Sequence, residues 1–190
     1  MTTQTRPSGR LIFISGLSGA GKSTLLEAAL ANIPELEYLR TTTTRPRRDG
    51  EDGSLYYDFV TKNEYEAKRQ NSKQWDHSEF GGNYYGSDVE EMRAKLQDGT
   101  SIICSVAPVR SVITPMTTLY GTATTTVWIN TDRHVCIGRI SDDPTRLKRL
   151  EESEDESLRT EFDIVFTPKN KLNEDREAFV ELITKLTSVL

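Results

Sequence analysis

Residues 16–23 (GLSGAGKS) have the residue types and the spacing needed to bind a row of phosphate groups. They match G-x-x-x-x-G-K-[ST], in which glycines let the backbone wrap around an anion with its N–H groups turned inward. We expect Lys22 to reach the β- and γ-phosphates and the Ser23 hydroxyl to ligate Mg²⁺. The motif predicts a nucleoside triphosphate site that comprises Gly16, Ser18, Gly19, Ala20, Gly21, Lys22, Ser23 and Thr24.

The surroundings of this motif favour a phosphate loop over a chance match in a loop that contains several glycines. Residues 11–15 (LIFIS) form a short continuous apolar run, which is typical of a strand buried on both faces. Residues 22–31 (KSTLLEAALA) predict a helix directly after the loop, and the N-terminus of a helix favours an anion. By itself the motif predicts a nucleotide but not a reaction.

A second group of cationic side chains lies in residues 41–53 (TTTTRPRRDGEDG), a stretch rich in turn formers and charge that predicts a loop. Arg45 and Arg48 stand three residues apart in it. Planar guanidinium groups bind the dianionic phosphate of a nucleoside monophosphate through paired hydrogen bonds. The alternative for these arginines is a solvated turn with ordinary surface charge.

Residues 43–60 and 82–87 contain a longer pattern of threonine, arginine, glycine and aromatic residues: Thr43, Thr44, Arg45, Arg48, Gly50, Glu51, Tyr57, Phe59, Val60, Gly82, Asn83, Tyr84, Tyr85, Gly86 and Ser87. In these residues the chain resembles the guanylate kinases. The resemblance covers most of residues 10–106 and weakens after that stretch. The family pattern is roughly T-T-R-x-P-R-x-G-E, then a tyrosine before x-F-V, then E-x-x-x-x-x-G-N-Y-Y-G-[ST], and the proline is displaced here by one residue, to Pro46.

The resemblance implies a phosphate site for the acceptor nucleotide. Arg45 and Arg48 would bind the phosphate, and the Tyr57 and Tyr85 hydroxyls would donate to it. Core packing is the alternative for a tyrosine pair, and we expect Tyr84 to pack while Tyr85 reaches the ligand.

The resemblance also implies a guanine site. Asp76 stands where the family has a glutamate, whose carboxylate suits the N1–H and N2–H₂ donors of guanine. Thr41 and Ser87 stand where the family has hydroxyls, which suit the acceptors of the base. Aspartate is one methylene shorter than glutamate, so the pocket must close in or accept a bridging water. The alternative for Asp76 is a surface residue beside Trp75 and His77.

Two segments depart from the family pattern. After the strand at Ser101 the family reads D-x-D-x-Q-G, whereas residues 105–110 read SVAPVR, so both carboxylates are missing. Ser105 retains an oxygen that can accept a hydrogen bond from a base amino group. The arginine-rich lid segment is shorter here, with Arg139 and Arg149 aligned to its first and last arginines and its G-R-G piece absent.

The lid arginines are expected to neutralise charge on the phosphoryl group during transfer. The predicted catalytic set is therefore Lys22, Arg45, Arg139 and Arg149. Arg146 has two interpretations of equal standing: it replaces the missing lid arginine, or it pairs with glutamates on a solvated helix face.

The resemblance thus implies an enzyme that transfers the γ-phosphoryl of ATP, with Mg²⁺, to GMP or dGMP. A kinase of the same architecture for another or a modified nucleoside monophosphate stays open, because Asp76, Ser105 and Ala107 differ from the family. A catalytically silent guanylate-kinase-like module that binds a protein partner is a further alternative. Its expected marker is a degraded phosphate loop, and this loop is intact.

The composition of the chain limits the other classes of function. Its 24 basic and 29 acidic residues give a net charge of −5, which disfavours a nucleic-acid-binding protein despite the basic residues 45–48. No apolar run approaches the roughly 20 residues of a membrane span. Two distant cysteines, Cys104 and Cys136, predict a buried reduced pair in a cytoplasmic protein. We expect small-molecule nucleotides as partners of a monomer or homodimer.

Predicted strands alternate with predicted helices along the chain, and this pattern positions the residues above. It predicts an α/β fold of the P-loop NTPase type, a three-layer sandwich around a parallel sheet. Further strands are expected at residues 101–106, 124–130 and 162–166, and a C-terminal helix at 174–189. Capping boxes at 61–64 and 87–90 predict helices to about residues 71 and 97. After a disordered tail (1–9), residues 10–190 would form one domain with a core (10–40, 98–138, 161–190), a nucleoside-monophosphate-binding region (41–87) and a lid (139–160).

Overall fold

Strand β1, Leu11–Ser15, lies at the centre of the main sheet, and all five of its residues are buried. The computed structural model describes residues 9–47, 51, 53–106, 124–152 and 156–188. The described chain begins in the packed fold, because the Gly9 N–H donates to the Leu96 carbonyl at 2.8 Å. Gly9 therefore does not belong to the expected tail, of which residues 1–8 lie outside the described residues.

Among the described residues, the main sheet has five strands in the order β2 (Leu36–Tyr38), β7 (Ser101–Ser105), β1, β8 (Thr124–Ile129) and β9 (Ile164–Phe166). Every neighbouring pair is parallel, which confirms the predicted sheet. Strand β9 begins two residues later than expected, because the Phe162 N–H bonds to the Arg159 carbonyl at 3.3 Å instead of joining the sheet.

Helices cover both faces of this sheet, as the buried residues of β1 and β7 require. They are α1 (Lys22–Asn32), α3 (Val89–Gln97), α4 (Arg133–Ile140), α5 (Pro144–Glu152) and α6 (Leu172–Ser188), with a 3₁₀ helix at Glu156–Glu161. Helix α1 packs against α6, and α3 packs against β7. The fold class is thus the predicted P-loop NTPase-type α/β sandwich.

A second, smaller sheet carries the expected acceptor region. Its strands lie in the order β4 (Tyr57–Phe59), β3 (Thr41–Thr43), β6 (Asn83–Asp88) and β5 (Trp75–Phe80). The expectation of a loop throughout residues 41–53 is wrong for its first three residues, which form β3. The β-branched threonines suit a strand, and β3 is paired on both sides, with β4 and β6.

Helix α2 (Lys62–Asn71) begins at the predicted capping box, in which Thr61 and Glu64 bond to each other's backbone N–H groups. The prediction of a second capping box at residues 87–90 names the wrong capping residue. Asp88, rather than Ser87, caps α3 by accepting from the Glu90 and Glu91 N–H groups. Ser87 still belongs to β6.

The predicted lid region contributes to the hydrophobic core at three of its residues, Ile140, Leu150 and Leu158. Cys104 and Cys136 are free and buried, as expected. Among the helices of the described part of the chain, none is both long and apolar enough to cross a membrane.

Candidate active site

The loop between β1 and α1 depends on its glycines. Gly16, Gly19 and Gly21 have φ angles of 143°, 87° and 93°, a region that residues with a Cβ atom rarely adopt. A Cβ atom on Gly16 would lie 2.7 Å from the Ile129 carbonyl oxygen, and one on Gly19 would lie 2.6 Å from that of Cys136. The loop is therefore wedged between α1, the end of β8 and α4.

Lys22 stands at the start of α1 and folds back over this loop. Its Nζ donates to the carbonyls of Gly16 at 2.6 Å and Leu17 at 2.9 Å. The Ser23 side chain is exposed beside it, Thr24 and Ser18 are half-buried, and the Ala20 carbonyl accepts from the buried Thr131 hydroxyl at 2.9 Å. The predicted donor-site residues thus surround one helix N-terminus, which is suited to an anion.

Arg139 is the predicted catalytic arginine that the structure places beside the phosphate loop. Its Nη1 donates to the Gly19 carbonyl at 3.1 Å, and its Nη2 donates to Asn170 Oδ1 at 3.2 Å. Arg139 lies in the last turn of α4, so the first residue of the predicted lid already contacts the donor loop.

The small sheet presents most of the predicted acceptor residues on one face, here called the front face. Strand pairing places Thr41 opposite Tyr57, Thr43 opposite Tyr85, and Asp76 opposite Ser87. Alternation along the strands then directs these side chains to the same side. Five predicted side chains share the front face: Thr41, Tyr57, Asp76, Tyr85 and Ser87.

The rings of Tyr57 and Tyr85 meet on the front face, edge to face with centroids 6.4 Å apart. Tyr84 points the other way, onto the back face, where its ring lies 5.5 Å from that of Tyr65 on α2. The packing expected for Tyr84 is observed, whereas the contact of Tyr85 with a ligand stays a prediction.

Arg45 follows β3 and is only 7% exposed. Its Nη1 and Nη2 donate to the two carboxylate oxygens of Glu51, each at 2.9 Å, and Nη1 also donates to the Pro46 carbonyl at 2.8 Å. The guanidinium carbon lies 5.1 Å from the ring centroids of both Tyr57 and Phe59. Burial lowers the pKa of Arg45, but Glu51 outweighs it by hydrogen bonding and charge, so the pKa is raised and the side chain stays cationic.

Asp76 is half-buried and accepts a short hydrogen bond from the Ser87 N–H on the neighbouring strand. Burial raises the pKa of the Cys104 thiol, and the negative charge of Asp76 raises it further. Since Cys104 lies in β7, the carboxylate is near the main sheet. Asp76 is thus held on the small sheet by the Ser87 N–H, and its predicted contact with a base stays a prediction.

Tyr38, in β2, connects the main sheet with the small sheet. This residue was not identified from the sequence. Its hydroxyl accepts the Ser105 N–H at 3.2 Å, and its ring meets that of Tyr56 at 4.8 Å. The Tyr56 hydroxyl donates to Glu27 of α1 at 3.2 Å. The small sheet is therefore held against both β7 and the helix that begins at the phosphate loop. No pattern in the sequence points to Tyr38, because its partners are distant along the chain.

Glu51 and Gly86 are two further residues whose roles only the structure reveals. Both lie on family positions, but the motif alone does not say that Glu51 holds Arg45 or that Gly86 leaves room for a neighbouring side chain. Arg48, Ala107 and the Arg149 side chain lie outside the described residues, so their predicted roles stay predictions.

Comparison with known proteins identifies the family. The guanylate kinase family model matches residues 8–186. The chain is 40% identical over 98 residues to a guanylate kinase of Rubrobacter xylanophilus and 39% identical over 107 residues to one of Nostoc. It spans about half the length of these relatives, 51% and 53%. A guanylate kinase of Chlorobium chlorochromatii is 31% identical over 171 residues, which cover 86% of this chain and 89% of that protein.

The solved structures agree on the fold. A guanylate kinase of Anaplasma phagocytophilum superposes with a TM-score of 0.70 at 16% identity, covering 97% of this chain and 89% of the other. Three observations agree: a phosphate loop follows β1, the small sheet lies beside it, and the family model matches nearly the whole chain. The protein belongs to the guanylate kinase family.

Proposed function

We propose that this protein transfers the γ-phosphoryl group of ATP to GMP or dGMP, forming ADP and the nucleoside diphosphate. The observation that carries the proposal is the front face, where five acceptor-type side chains lie together beside the buried Arg45. The names of the relatives, all guanylate kinases, support the same acceptor.

The donor half of the reaction is assigned to the phosphate loop. The loop N–H groups and the Lys22 ammonium bind the phosphate oxygens of ATP, so Lys22 exchanges its two carbonyl partners for phosphate. Arg139, bonded to the Gly19 carbonyl, is placed to neutralise the charge that builds up on the transferring group.

Ser23 fits the role of a Mg²⁺ ligand. Its hydroxyl is exposed at the start of α1, and Mg²⁺ commonly takes one or two protein oxygens and completes its shell with water and substrate phosphates. The part of the chain that the structure describes holds no cluster of three or more His, Cys, Asp or Glu side chains suited to a metal. When bound, Mg²⁺ would be held by the Ser23 hydroxyl and would reduce the negative charge of the ATP phosphates.

Arg45 is assigned to the acceptor phosphate on the basis of its hydrogen-bond geometry. A guanidinium group has five N–H donors, and three of them serve Glu51 and Pro46. In the described part of the chain the other two, on Nε and Nη2, have no hydrogen-bond acceptor. They share one edge of the guanidinium, which suits paired bonding to a phosphate. Tyr57 and Tyr85 on the front face supply hydroxyl donors to the same group.

The chemical step is an in-line displacement between the two bound nucleotides. A phosphate oxygen of the acceptor forms a bond to the γ-phosphorus of ATP, and the bond from that phosphorus to the β–γ bridging oxygen breaks. ADP leaves with the electron pair of that bond. The protein holds both nucleotides in line and neutralises their charge, which is the main source of catalysis in phosphoryl transfer.

The test is ADP release from ATP and Mg²⁺ with a panel of acceptors: GMP, dGMP, AMP, CMP and dTMP. We expect kcat/KM to be highest for GMP or dGMP. Preference for another acceptor would refute the guanine assignment but not phosphoryl transfer. Absence of transfer to every acceptor would refute the function itself.

The base site is tested by Asp76→Asn, with Asp58→Asn as the matched control. Asp58 lies in the same sheet on the back face and pairs with Lys68 at 2.9 Å, both side chains being exposed. The amide at position 76 places a donor where guanine also has donors. We expect kcat/KM for GMP to fall roughly 10- to 100-fold, whereas Asp58→Asn should stay within about twofold because exposed ion pairs contribute little.

A further inference from the structure

One buried oxygen atom connects helix α2 with two strands of the small sheet. The side chain of Tyr65, on α2, is 0% exposed. Its hydroxyl lies 3.0 Å from Trp75 Nε1, 2.8 Å from the Tyr85 carbonyl oxygen and 2.9 Å from His77 Nδ1. Trp75 and His77 belong to β5 and Tyr85 to β6, so α2 and both strands meet at this hydroxyl.

The number of protons at this place fixes the direction of each hydrogen bond. A phenol has one hydrogen to donate and two lone pairs with which to accept. The Trp75 indole can only donate and the Tyr85 carbonyl can only accept. The Tyr65 hydrogen therefore goes to the Tyr85 carbonyl, and His77 must carry its hydrogen on Nδ1 and donate it to Tyr65. With one bond donated and two accepted, the hydroxyl has no further capacity.

Gly86 lies directly against this hydroxyl. A Cβ atom at position 86 would overlap the Tyr65 hydroxyl, the Trp75 indole nitrogen and the Asp76 carbonyl oxygen. Residue 86 stands between Tyr85 and Ser87, whose side chains are on the front face. The hydrogen bonds on the back face thus hold the backbone from which two acceptor-site side chains project.

We propose that Tyr65 is a positioning residue for the acceptor nucleotide, because its hydroxyl sets the place of β6 relative to β5 and so aligns Tyr85, Ser87 and Asp76. This inference rests on the function proposed above. Tyr65 does not touch the nucleotide in this arrangement, since its ring lies behind the sheet. Its effect reaches the substrate only through the strand backbone.

The Tyr65 hydroxyl stays protonated at the pH of an assay, so its hydrogen bonds do not change with pH there. Burial raises the pKa of Tyr65 to about 12, so the hydroxyl keeps its proton at any pH at which the enzyme is assayed. Loss of the hydroxyl would leave the Tyr85 carbonyl, the Trp75 indole N–H and the His77 N–H without their shared partner. His77 is exposed and can bond to water, but the half-buried Tyr85 carbonyl and Trp75 indole N–H would be left poorly solvated. Poorly solvated polar groups without partners are costly, and a shift of β6 is the route by which they would find new ones.

The experiment compares Tyr65→Phe with Tyr84→Phe. The first substitution keeps the buried ring and removes only the hydroxyl. The second removes a hydroxyl from a neighbouring ring of the same back face, one that makes no hydrogen bond within the described residues. Initial rates are measured with GMP varied at saturating ATP, and with ATP varied at saturating GMP.

We expect Tyr65→Phe to raise KM for GMP about tenfold, while KM for ATP stays within twofold of the wild-type value. Tyr84→Phe should leave both constants within twofold. An unchanged KM for GMP in Tyr65→Phe, or an equal rise in both constants, would overturn the proposal, because a general loss of stability would not single out the acceptor. If the wild-type protein prefers another nucleoside monophosphate, the comparison is made with that acceptor, so the guanine assignment and the positioning role fail separately.

A second measurement does not depend on turnover. The chain has two tryptophans, Trp75 in this network and Trp128 in the core against Phe162. Their indole N–H resonances are recorded by NMR and assigned with Trp75→Phe. We expect Tyr65→Phe to shift the Trp75 resonance and to leave that of Trp128 in place. A Trp75 resonance that does not move would overturn the hydrogen-bond network on which the proposal rests.

Discussion

The carboxylate of Glu51 provides a sharp test of how Arg45 is held in place. Glu51 accepts two hydrogen bonds from the Arg45 guanidinium, each 2.9 Å long, and Arg45 is 7% exposed while Glu51 is 24% exposed. In Glu51→Gln the amide retains one acceptor oxygen and turns an NH₂ donor toward the other guanidinium donor. One charge-assisted bond is lost and two donors face each other in a poorly solvated place.

Losing one such bond costs about 1–3 kcal/mol. If all of this acts on the orientation of Arg45, kcat/KM for GMP falls by roughly 5- to 150-fold. The assay is the initial rate of ADP release with GMP varied at saturating ATP. The control is Glu174→Gln, which removes an exposed ion pair with Lys171, 2.9 Å long with side chains 53% and 65% exposed, and should leave the rate unchanged. A Glu51→Gln enzyme within twofold of wild type would refute the view that Glu51 orients the phosphate-binding edge of Arg45.

Three further predictions concern the phosphate loop, the small sheet and helix α2. Lys22→Ala should reduce transfer by about 10²- to 10³-fold with an unchanged circular dichroism spectrum, and near-normal turnover would exclude the phosphate-loop mechanism. Gly86→Ala should lower the free energy of unfolding in urea by about 1–3 kcal/mol, whereas Gly138→Ala, where a Cβ atom meets nothing within 4 Å, should be neutral or stabilising. The Thr61 N–H and hydroxyl lower the pKa of Glu64, so its contribution is present at neutral pH and is lost as the pH falls through that lowered pKa. Glu64→Gln should therefore reduce Tm at pH 7 and have a diminishing effect on acidification; an equal effect at all pH values would contradict this assignment.

Four strands of the main sheet and the donor loop were predictable because their signals are local, whereas β2 (Leu36–Tyr38) was not among the expected strands. A continuous apolar run specifies β1, and the glycine spacing after it specifies the loop, so neither depends on distant parts of the chain. The capping box at Thr61 is equally local. The cap of α3 shows the limit of such reasoning, since Ser87 and Asp88 are both good capping residues. Asp88, the last residue of β6, is the one whose side chain accepts from the Glu90 and Glu91 N–H groups.

The residues that hold the acceptor-site strands in place could not be predicted from local sequence signals. Tyr38 becomes important only when folding brings it to Ser105, 67 residues away, and Tyr65 only when it meets Tyr85, 20 residues away. Each is a tyrosine in an ordinary strand or helix, with no spacing that marks it. The sequence motifs name the side chains that face the ligand, whereas the residues that orient them are defined by tertiary packing.

The two outer strands of the main sheet have a consequence for how the protein behaves at high concentration. Within the described residues the main sheet ends in β2 on one side and β9 on the other. Each of these strands has three residues, so each outer edge offers a short row of backbone groups to another chain. Short edge strands are one way in which proteins avoid extending a sheet from molecule to molecule. Strand-to-strand aggregation through these two edges of the main sheet is therefore disfavoured for as long as the fold persists.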